Sequence, residues 1–331
     1  MPKPHVWFER EILSDLVEEV AAVARILGPA SATPDDPYEA LPQAVGIVAS
    51  VHRYDAALME RAPDLRVISR TGSGYDKVDL GAATARGIVV CNAPEGPVIS
   101  TAEHAVTLMM MVAKNVKRSE AELRAGGSDI YARHVGIELD GRTLGLVGFG
   151  RIARRVAEIA AGLNMKVAAF DPYVESADFP ASVTRYSGLE DLVGSSDVVS
   201  IHVPLTAETS GLFGAELLGA MKPGSILVNT ARGALVDLPA LADALDSGRL
   251  FGAGLDVTDP EPLPPDHPLP ARTDVVVTPH VSAGTAGAKC RIFKVAFEQV
   301  MQVLGGHRPR HVVNPEVWDR GAPKMRWENR A

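Results

Sequence analysis

Cysteine is nearly absent: Cys91 and Cys290 are the only two in 331 residues. Two are too few for a disulfide framework or a zinc cluster. Each lies in apolar or helical sequence and reads as a buried thiol, with a reducing, cytoplasmic compartment as the default. No apolar run approaches the roughly 18 residues of a membrane span. The N-terminal M-P-K-P-H-V-W-F-E-R also lacks the apolar centre of a secretory signal. Positive charge is in deficit, the net charge being −8, which argues against a sequence-independent nucleic-acid surface built from clustered Lys and Arg. Internal repeats and low-complexity tracts are missing, and outside position 280 the histidines show neither metal-ligand spacing nor a catalytic arrangement. These gaps leave a globular chain with no metal site and no membrane segment.

What is present is enough for two domains. The length suits two rather than one, and 46% hydrophobic with 22% charged residues is ample for buried cores. The chain is organised around Thr143 to Asp171. Leu144, Leu146 and Val147 form a short apolar run that stops at Gly148-Phe149-Gly150. Ile152, Val156, Ile159, Ala160 and Leu163 then recur at helical spacing, and a second apolar run from Val167 to Phe170 ends in Asp171. This is strand, glycine turn, helix and strand, one βαβ unit. Gly148 permits the turn, Gly150 lets a pyrophosphate approach the backbone, and Ala153 lets helix and strand pack closely. The helix N-terminus offers free N–H groups to phosphates, with Arg151 and Ile152 in its first turn. Asp171 is placed to accept hydrogen bonds from a ribose 2′-hydroxyl and to repel a 2′-phosphate, which favours NAD over NADP.

Before this unit, residues 12–27 read as an amphipathic helix ended by Gly28-Pro29, and residues 34–42 as a loop. Strands are expected at Val45–Val48, Val67–Ser69 and Gly87–Cys91, with a helix from Asp55 to Ala62. A long helix is predicted from Thr101 to Lys117, its methionines serving packing, followed by a polar connector from Ala125 to Gly141. After the unit, Val198–Val203, Ser225–Asn229, Ala253–Val257 and Val275–Thr278 read as strands alternating with helices. A final helix over 287–304 returns the chain to the first domain, and the tail after Asp319, with Trp327, reads as a loose or subunit-contacting end.

Three motifs follow successive predicted strands, where an open parallel sheet places its ligands: N-T-A-R-G at 229–233, L-D-V-T-D-P-E-P at 255–262, and T-P-H at 278–280. Taken singly, Arg232 reads as a packing arginine, Glu261 as a solvated loop acid and His280 as a core histidine. Their joint placement reverses those readings. Arginine grips a carboxylate bidentately, histidine exchanges a proton near neutrality, and a carboxylate on the imidazole orients it. With a nicotinamide delivering hydride, these parts interconvert a 2-keto and a 2-hydroxy acid.

Over about residues 40–317 the chain resembles the D-isomer-specific 2-hydroxyacid dehydrogenases. The blocks that carry this are R-T-G-S-G-Y-D (70–76), G-L-V-G-F-G-R-I-A (145–153), F-D-P-Y (170–173), H-V-P-L-T (202–206), N-T-A-R-G, L-D-V-x-x-x-E-P and P-H. The resemblance implies two Rossmann-like doubly wound α/β domains. The first is a flavodoxin-like substrate domain from residues 1–97 and 288–331, and the second an NAD-binding domain from 98–287. It implies Arg232, Glu261 and His280 as the catalytic set, and Ser73 and Gly74 as backbone donors to the substrate carboxylate. It further implies Asp256 on the nicotinamide amide, Thr230, Ala231 and His280 lining the nicotinamide site, and Val203, Pro204 and Thr209 on the adenine side. A homodimer through the NAD-binding domain also follows. Two branches are similar. One is the C-terminal binding proteins, NAD(H)-sensing corepressors, whose pocket tryptophan is replaced by Ala283. The other is the phosphoglycerate dehydrogenases, whose phosphate-gripping arginine aligns with Ala49. Glu261 stands where formate dehydrogenases carry glutamine, which disfavours that reaction.

Overall fold

The computed structural model describes residues 2–28, 36 and 38–321; the tail with Trp327 and the start of the loop expected from residue 34 lie outside them. Two compact units result, Met1–Pro97 with Thr285–Ala331, and Val98–Gly284. The return to the first unit falls at Thr285, three residues before the expected 288. Thr285 is the N-cap of the last long helix, its hydroxyl accepting from Ala288 N at 3.2 Å, so the whole helix goes with the first unit.

The first unit holds five parallel strands: β1 (His5–Phe8), β2 (Arg25–Leu27), β3 (Gly46–Ala49), β4 (Val67–Arg70) and β5 (Val89–Cys91). Their order is β2-β1-β3-β4-β5, the flavodoxin-like arrangement. Alternate residues face two separate cores. Val6, Phe8, Val48, Val67 and Cys91 pack beneath α11 (Ala286–Leu304), and Trp7, Ile47, Ala49, Ile68 and Val90 pack beneath α2 (Ala56–Glu60) and α3 (Leu80–Ala85). Asp55 and Asp79 start those two short helices by accepting from Leu58 N and Ala82 N at 3.0 and 2.9 Å, caps worth about 1 kcal/mol each. Cys91 is fully buried, and burial pushes its thiol up to about 12. Cys290 on α11 is only partly buried, against the expectation.

The second unit holds seven parallel strands: β6 (Thr143–Val147), β7 (Lys166–Phe170), β8 (Val183–Arg185), β9 (Val198–Ile201), β10 (Ser225–Asn229), β11 (Leu250–Leu255) and β12 (Val275–Val277). The order β12-β11-β10-β9-β6-β7-β8 is the doubly wound one, and the direction of winding reverses between β6 and β9. β9 and β10 are buried at every residue, as strands covered on both faces must be. One face meets α4 (Val98–Ala113) and α7 (Arg151–Gly162); the other meets α8 (Leu189–Ser195), α9 (Ala215–Ala220) and α10 (Leu238–Asp246).

Several elements differ from expectation. Residues 12–27 make a 3-10 turn, then only α1 (Val17–Val23), and then β2. Arg25-Ile26-Leu27 continues the apolar period, but Ala24 is already extended (φ −134°, ψ 155°). β1, β8 and α3 were not anticipated; β8 has a single buried residue, Val183, which leaves no pattern to find. The helix predicted over 101–117 begins at Val98 and breaks after Ala113. Asn115 takes a left-handed φ of 48°, which asparagine tolerates, and donates its amide to Val135 O at 2.5 Å. The chain then restarts as α5 (Val116–Arg124), and the connector after it contains α6 (Ile130–Arg133). Met109 is buried against α7 and the sheet.

Candidate active site

The glycine turn between β6 and α7 has the shape a dinucleotide needs. Gly148 has φ +87°, and a Cβ there would stand 2.9 Å from both His202 O and Val203 Cγ1, so only glycine fits. Gly150 is the N-cap of α7, and a Cβ on it would meet nothing within 4 Å. That open space lies over the unpaired N–H groups of the first turn. Arg151 is exposed beside it, Ile152 is half-buried, and Ala153 is fully buried against the sheet. Asp171 stands at the end of β7, its carboxylate accepting from Phe149 N at 2.8 Å and Tyr173 N at 2.9 Å. Two backbone donors hold the side chain in one orientation, and its remaining lone pairs are free for ribose hydroxyls.

Val203 and Pro204 follow β9. Thr209 closes their loop, donating to Pro204 O at 2.7 Å and accepting from Thr206 N at 2.8 Å. Ser200 and His202 hydrogen-bond at 2.9 Å, and desolvation lowers the His202 imidazole to about 4, so it stays neutral near pH 7.

At the end of β10, the buried Asn229 folds the T-A-R turn: its carbonyl accepts from Ala231 N at 2.9 Å and its amide donates to Arg232 O at 2.8 Å. Arg232 Nη1 donates to Ala231 O at 2.7 Å. Thr230 is buried, and its hydroxyl has no hydrogen-bond partner among the described residues. An orphaned buried hydroxyl is costly. The turn also touches the next motif: a Cβ on Gly233 would stand 2.0 Å from Thr258 C, so glycine alone lets the Arg232 turn lie on the Thr258–Asp259 backbone.

That backbone leads to Glu261, and the Asp259–Pro260 and Glu261–Pro262 bonds around it are both cis. Glu261 Oε1 lies 2.8 Å from His280 Nδ1, with both side chains over a third exposed. His280 itself has a left-handed φ of 53°, uncommon for a non-glycine residue. Its N–H donates to Asp256 O at 2.7 Å.

Asp256 follows β11. It is fully buried. Oδ1 accepts from Thr278 Oγ1 at 2.6 Å and Val281 N at 2.9 Å, and Oδ2 accepts from Ser282 N at 2.9 Å. Burial alone would raise this carboxyl, but the hydrogen bonds from His104, Thr278, Val281 and Ser282 outweigh it and hold the group down to about 2. The carboxylate clasps the loop that carries His280. His104, which shows no arrangement in sequence, is part of this cluster. Nothing local could have found it, because 174 positions separate it from Thr278.

In the first unit, Ser73 and Gly74 sit in the loop after β4. Asn92 donates to Ser73 O at 2.7 Å, Arg70 donates to Gly74 O at 3.2 Å, and Gln299 on α11 donates to Asn92 O at 3.0 Å. Gly72 gives this loop its positive φ of 131°. Among the described residues no cluster of His, Cys, Asp and Glu is able to hold a metal ion.

Comparison with known proteins agrees with this geometry. Residues 106–282 match the NAD binding domain of D-isomer specific 2-hydroxyacid dehydrogenases. The chain is 39% identical over 277 residues to a D-3-phosphoglycerate dehydrogenase of Archaeoglobus fulgidus, covering 84% of this chain and 51% of that protein. It thus spans about half the length of the curated phosphoglycerate dehydrogenases it matches. A glyoxylate reductase of Korarchaeum cryptofilum is 40% identical over 268 residues, 80% of each chain. A crystal structure of a Thermus thermophilus protein superposes with a TM-score of 0.82 at 40% identity, covering 93% of this chain and 99% of that one. With the doubly wound sheet, the glycine turn and the His280–Glu261 pair in place, the chain belongs to the D-isomer specific 2-hydroxyacid dehydrogenase family.

Proposed function

We propose that this protein is an NAD-dependent D-2-hydroxyacid dehydrogenase, or 2-ketoacid reductase, acting on a small acid. The observation that carries the reading is the His280 Nδ1–Glu261 Oε1 contact of 2.8 Å, following the buried turn that presents Arg232. Residues 1–97 and those from Thr285 onward are assigned to the substrate domain, and Val98–Gly284 to the NAD-binding domain.

Gly148, Gly150, Arg151 and Ile152 hold the pyrophosphate at the start of α7. Asp171 takes the ribose hydroxyls, Val203, Pro204 and Thr209 flank the adenine side, and Thr230 and Ala231 meet the nicotinamide. A bound nicotinamide would supply or accept the hydride exchanged at substrate C2. The chain supplies the rest. Glu261 fixes the proton on His280 Nδ1 and stabilises the doubly protonated ring, which leaves Nε2 to exchange a proton with the C2 oxygen. Arg232 pairs with the substrate carboxylate. In reduction His280 gives its Nε2 proton to the oxygen; in oxidation it takes one.

Asp171 supports NAD over NADP, since a 2′-phosphate would face a fixed carboxylate. Val116, Leu123, Tyr131 and Val135 are exposed large apolar residues within one stretch of the NAD-binding unit. They support a homodimer through that unit. No described helix is long and apolar enough to cross a membrane, and the metabolic enzymes among the relatives support a cytoplasmic setting. An NAD(H)-sensing corepressor fits less well than an enzyme, given the relatives' names and the intact Arg–Glu–His set.

The test is a panel of 2-ketoacids, namely glyoxylate, hydroxypyruvate, pyruvate, phenylpyruvate and phosphohydroxypyruvate, followed at the NADH absorbance with NADH and with NADPH. Turnover with NADH is expected, ranking the pocket by size and charge. Silence across the panel with NADH still bound moves the function to sensing or to a substrate outside the panel.

A further inference from the structure

His104 projects from the second turn of α4 and takes no part in the chemistry above. Its Nε2 lies 2.9 Å from Thr278 Oγ1 and 3.4 Å from Asp256 Oδ1. A threonine hydroxyl has one hydrogen, and Thr278 donates it to Asp256 Oδ1 at 2.6 Å. Thr278 is therefore the acceptor toward His104, and the imidazole carries a proton on Nε2. The result is a directed chain from His104 Nε2–H to the Thr278 hydroxyl to the Asp256 carboxylate.

That carboxylate spans the loop bearing His280 from both sides. It accepts from Thr278 two residues before His280, and from the N–H groups of Val281 and Ser282 just after it, while Asp256 O accepts from His280 N. A left-handed φ is uncommon for a non-glycine residue even though histidine tolerates it better than most, and the surrounding network offsets its cost. Removing the His104 donor leaves a half-buried acceptor on Thr278 without its partner and weakens one anchor of the clasp.

We infer that His104 is a positioning residue for His280, acting through Thr278 and Asp256 to fix the ring against Glu261. The inference rests on the reading of His280 as the acid/base, and it concerns no contact of His104 with substrate or cofactor.

The experiment compares His104→Leu, His104→Gln and Thr278→Val. Glutamine keeps an Nε2–H donor, leucine fills the space without one, and valine removes the hydroxyl link. The first readout is the imidazole NMR resonance of His280, identified by its loss in His280→Gln; the second is kcat set against KM for NADH. His104→Leu should move the His280 resonance and lower kcat roughly 10- to 100-fold, as a small misplacement of a reacting group does. KM for NADH should stay within about threefold, because no cofactor contact is removed. His104→Gln should restore both. Thr278→Val should reproduce the leucine effect, and the double variant should cost no more than either single one, as for residues acting in one chain. A folded His104→Leu or Thr278→Val protein with the wild-type His280 resonance and kcat overturns the inference, as does glutamine behaving like leucine. If leucine at 104 prevents folding, Thr278→Val and His104→Gln still decide it. If the wild-type protein reduces no 2-ketoacid, the proposed function fails, while the His280 resonance still decides the positioning.

Discussion

His280 Nδ1 lies 2.8 Å from Glu261 Oε1, joining a loop after β12 to a loop after β11. Each residue comes from its own strand end, and neither loop alone makes the pair. Substituting His280 with Gln should lower kcat by roughly 10²- to 10⁴-fold, the contribution of a positioned acid/base. NADH affinity, read by fluorescence titration, should hardly change. Glu261→Gln keeps a hydrogen-bond acceptor but loses the charge that stabilises the protonated ring, and should cost about tenfold or more in kcat. Wild-type turnover in His280→Gln removes the assignment.

Asp171 is held by two backbone donors, so it cannot swing away from an incoming 2′-phosphate. Replacing it with Ala should shift the ratio of kcat/KM for NADH over NADPH by about tenfold or more toward NADPH, since like-charge juxtaposition costs several kcal/mol. An unchanged ratio in steady-state assays would mean that discrimination lies elsewhere.

Gly150 and Gly233 make opposite demands. A Cβ at Gly150 enters open space, whereas one at Gly233 meets the Thr258 backbone at 2.0 Å. Gly150→Ala should fold with a loss near 1 kcal/mol from the poorer N-cap, yet weaken NADH binding. Gly233→Ala should cost at least about 3 kcal/mol through overpacking and separate the Arg232 turn from the loop carrying Glu261. Thermal unfolding and NADH titration of the two variants distinguish these outcomes.

Asp256 titrates at about 2 in the fold against about 3.9 when unfolded. A depressed carboxyl stabilises the fold above the unfolded value, and that stabilisation is lost as pH falls toward the folded one. Asp256→Asn should thus lose roughly 2 kcal/mol at pH 7. The gap to wild type in urea midpoint should stay constant down to about pH 4.5 and narrow between about pH 4 and pH 2. A gap that is independent of pH over that window contradicts the clasp.

The β6–α7–β7 unit was legible because each of its signals is local. An apolar run, a glycine pair, a helical period and a terminal acid all fall between Thr143 and Asp171. The strand ends that carry Arg232, Glu261 and His280 were legible for the same reason. Edge strands β2 and β8 were not, since three residues with a single buried side chain carry no period. The break at Asn115 was hidden as well, because the apolar character runs through it and the turn is held by Val135, twenty residues away.

The order of residues by itself determined that the chain alternates strand and helix, where the glycine turn falls, and which side chains end the strands of the sheet. Those features follow from periods of two and 3.6 and from what glycine permits. Only the tertiary structure decided the sheet orders, the burial of Asp256, the close approach of Gly233 to Thr258, and the alliance of His104 with Thr278. Each of those depends on which distant backbones lie side by side, and short-range pattern carries no record of that.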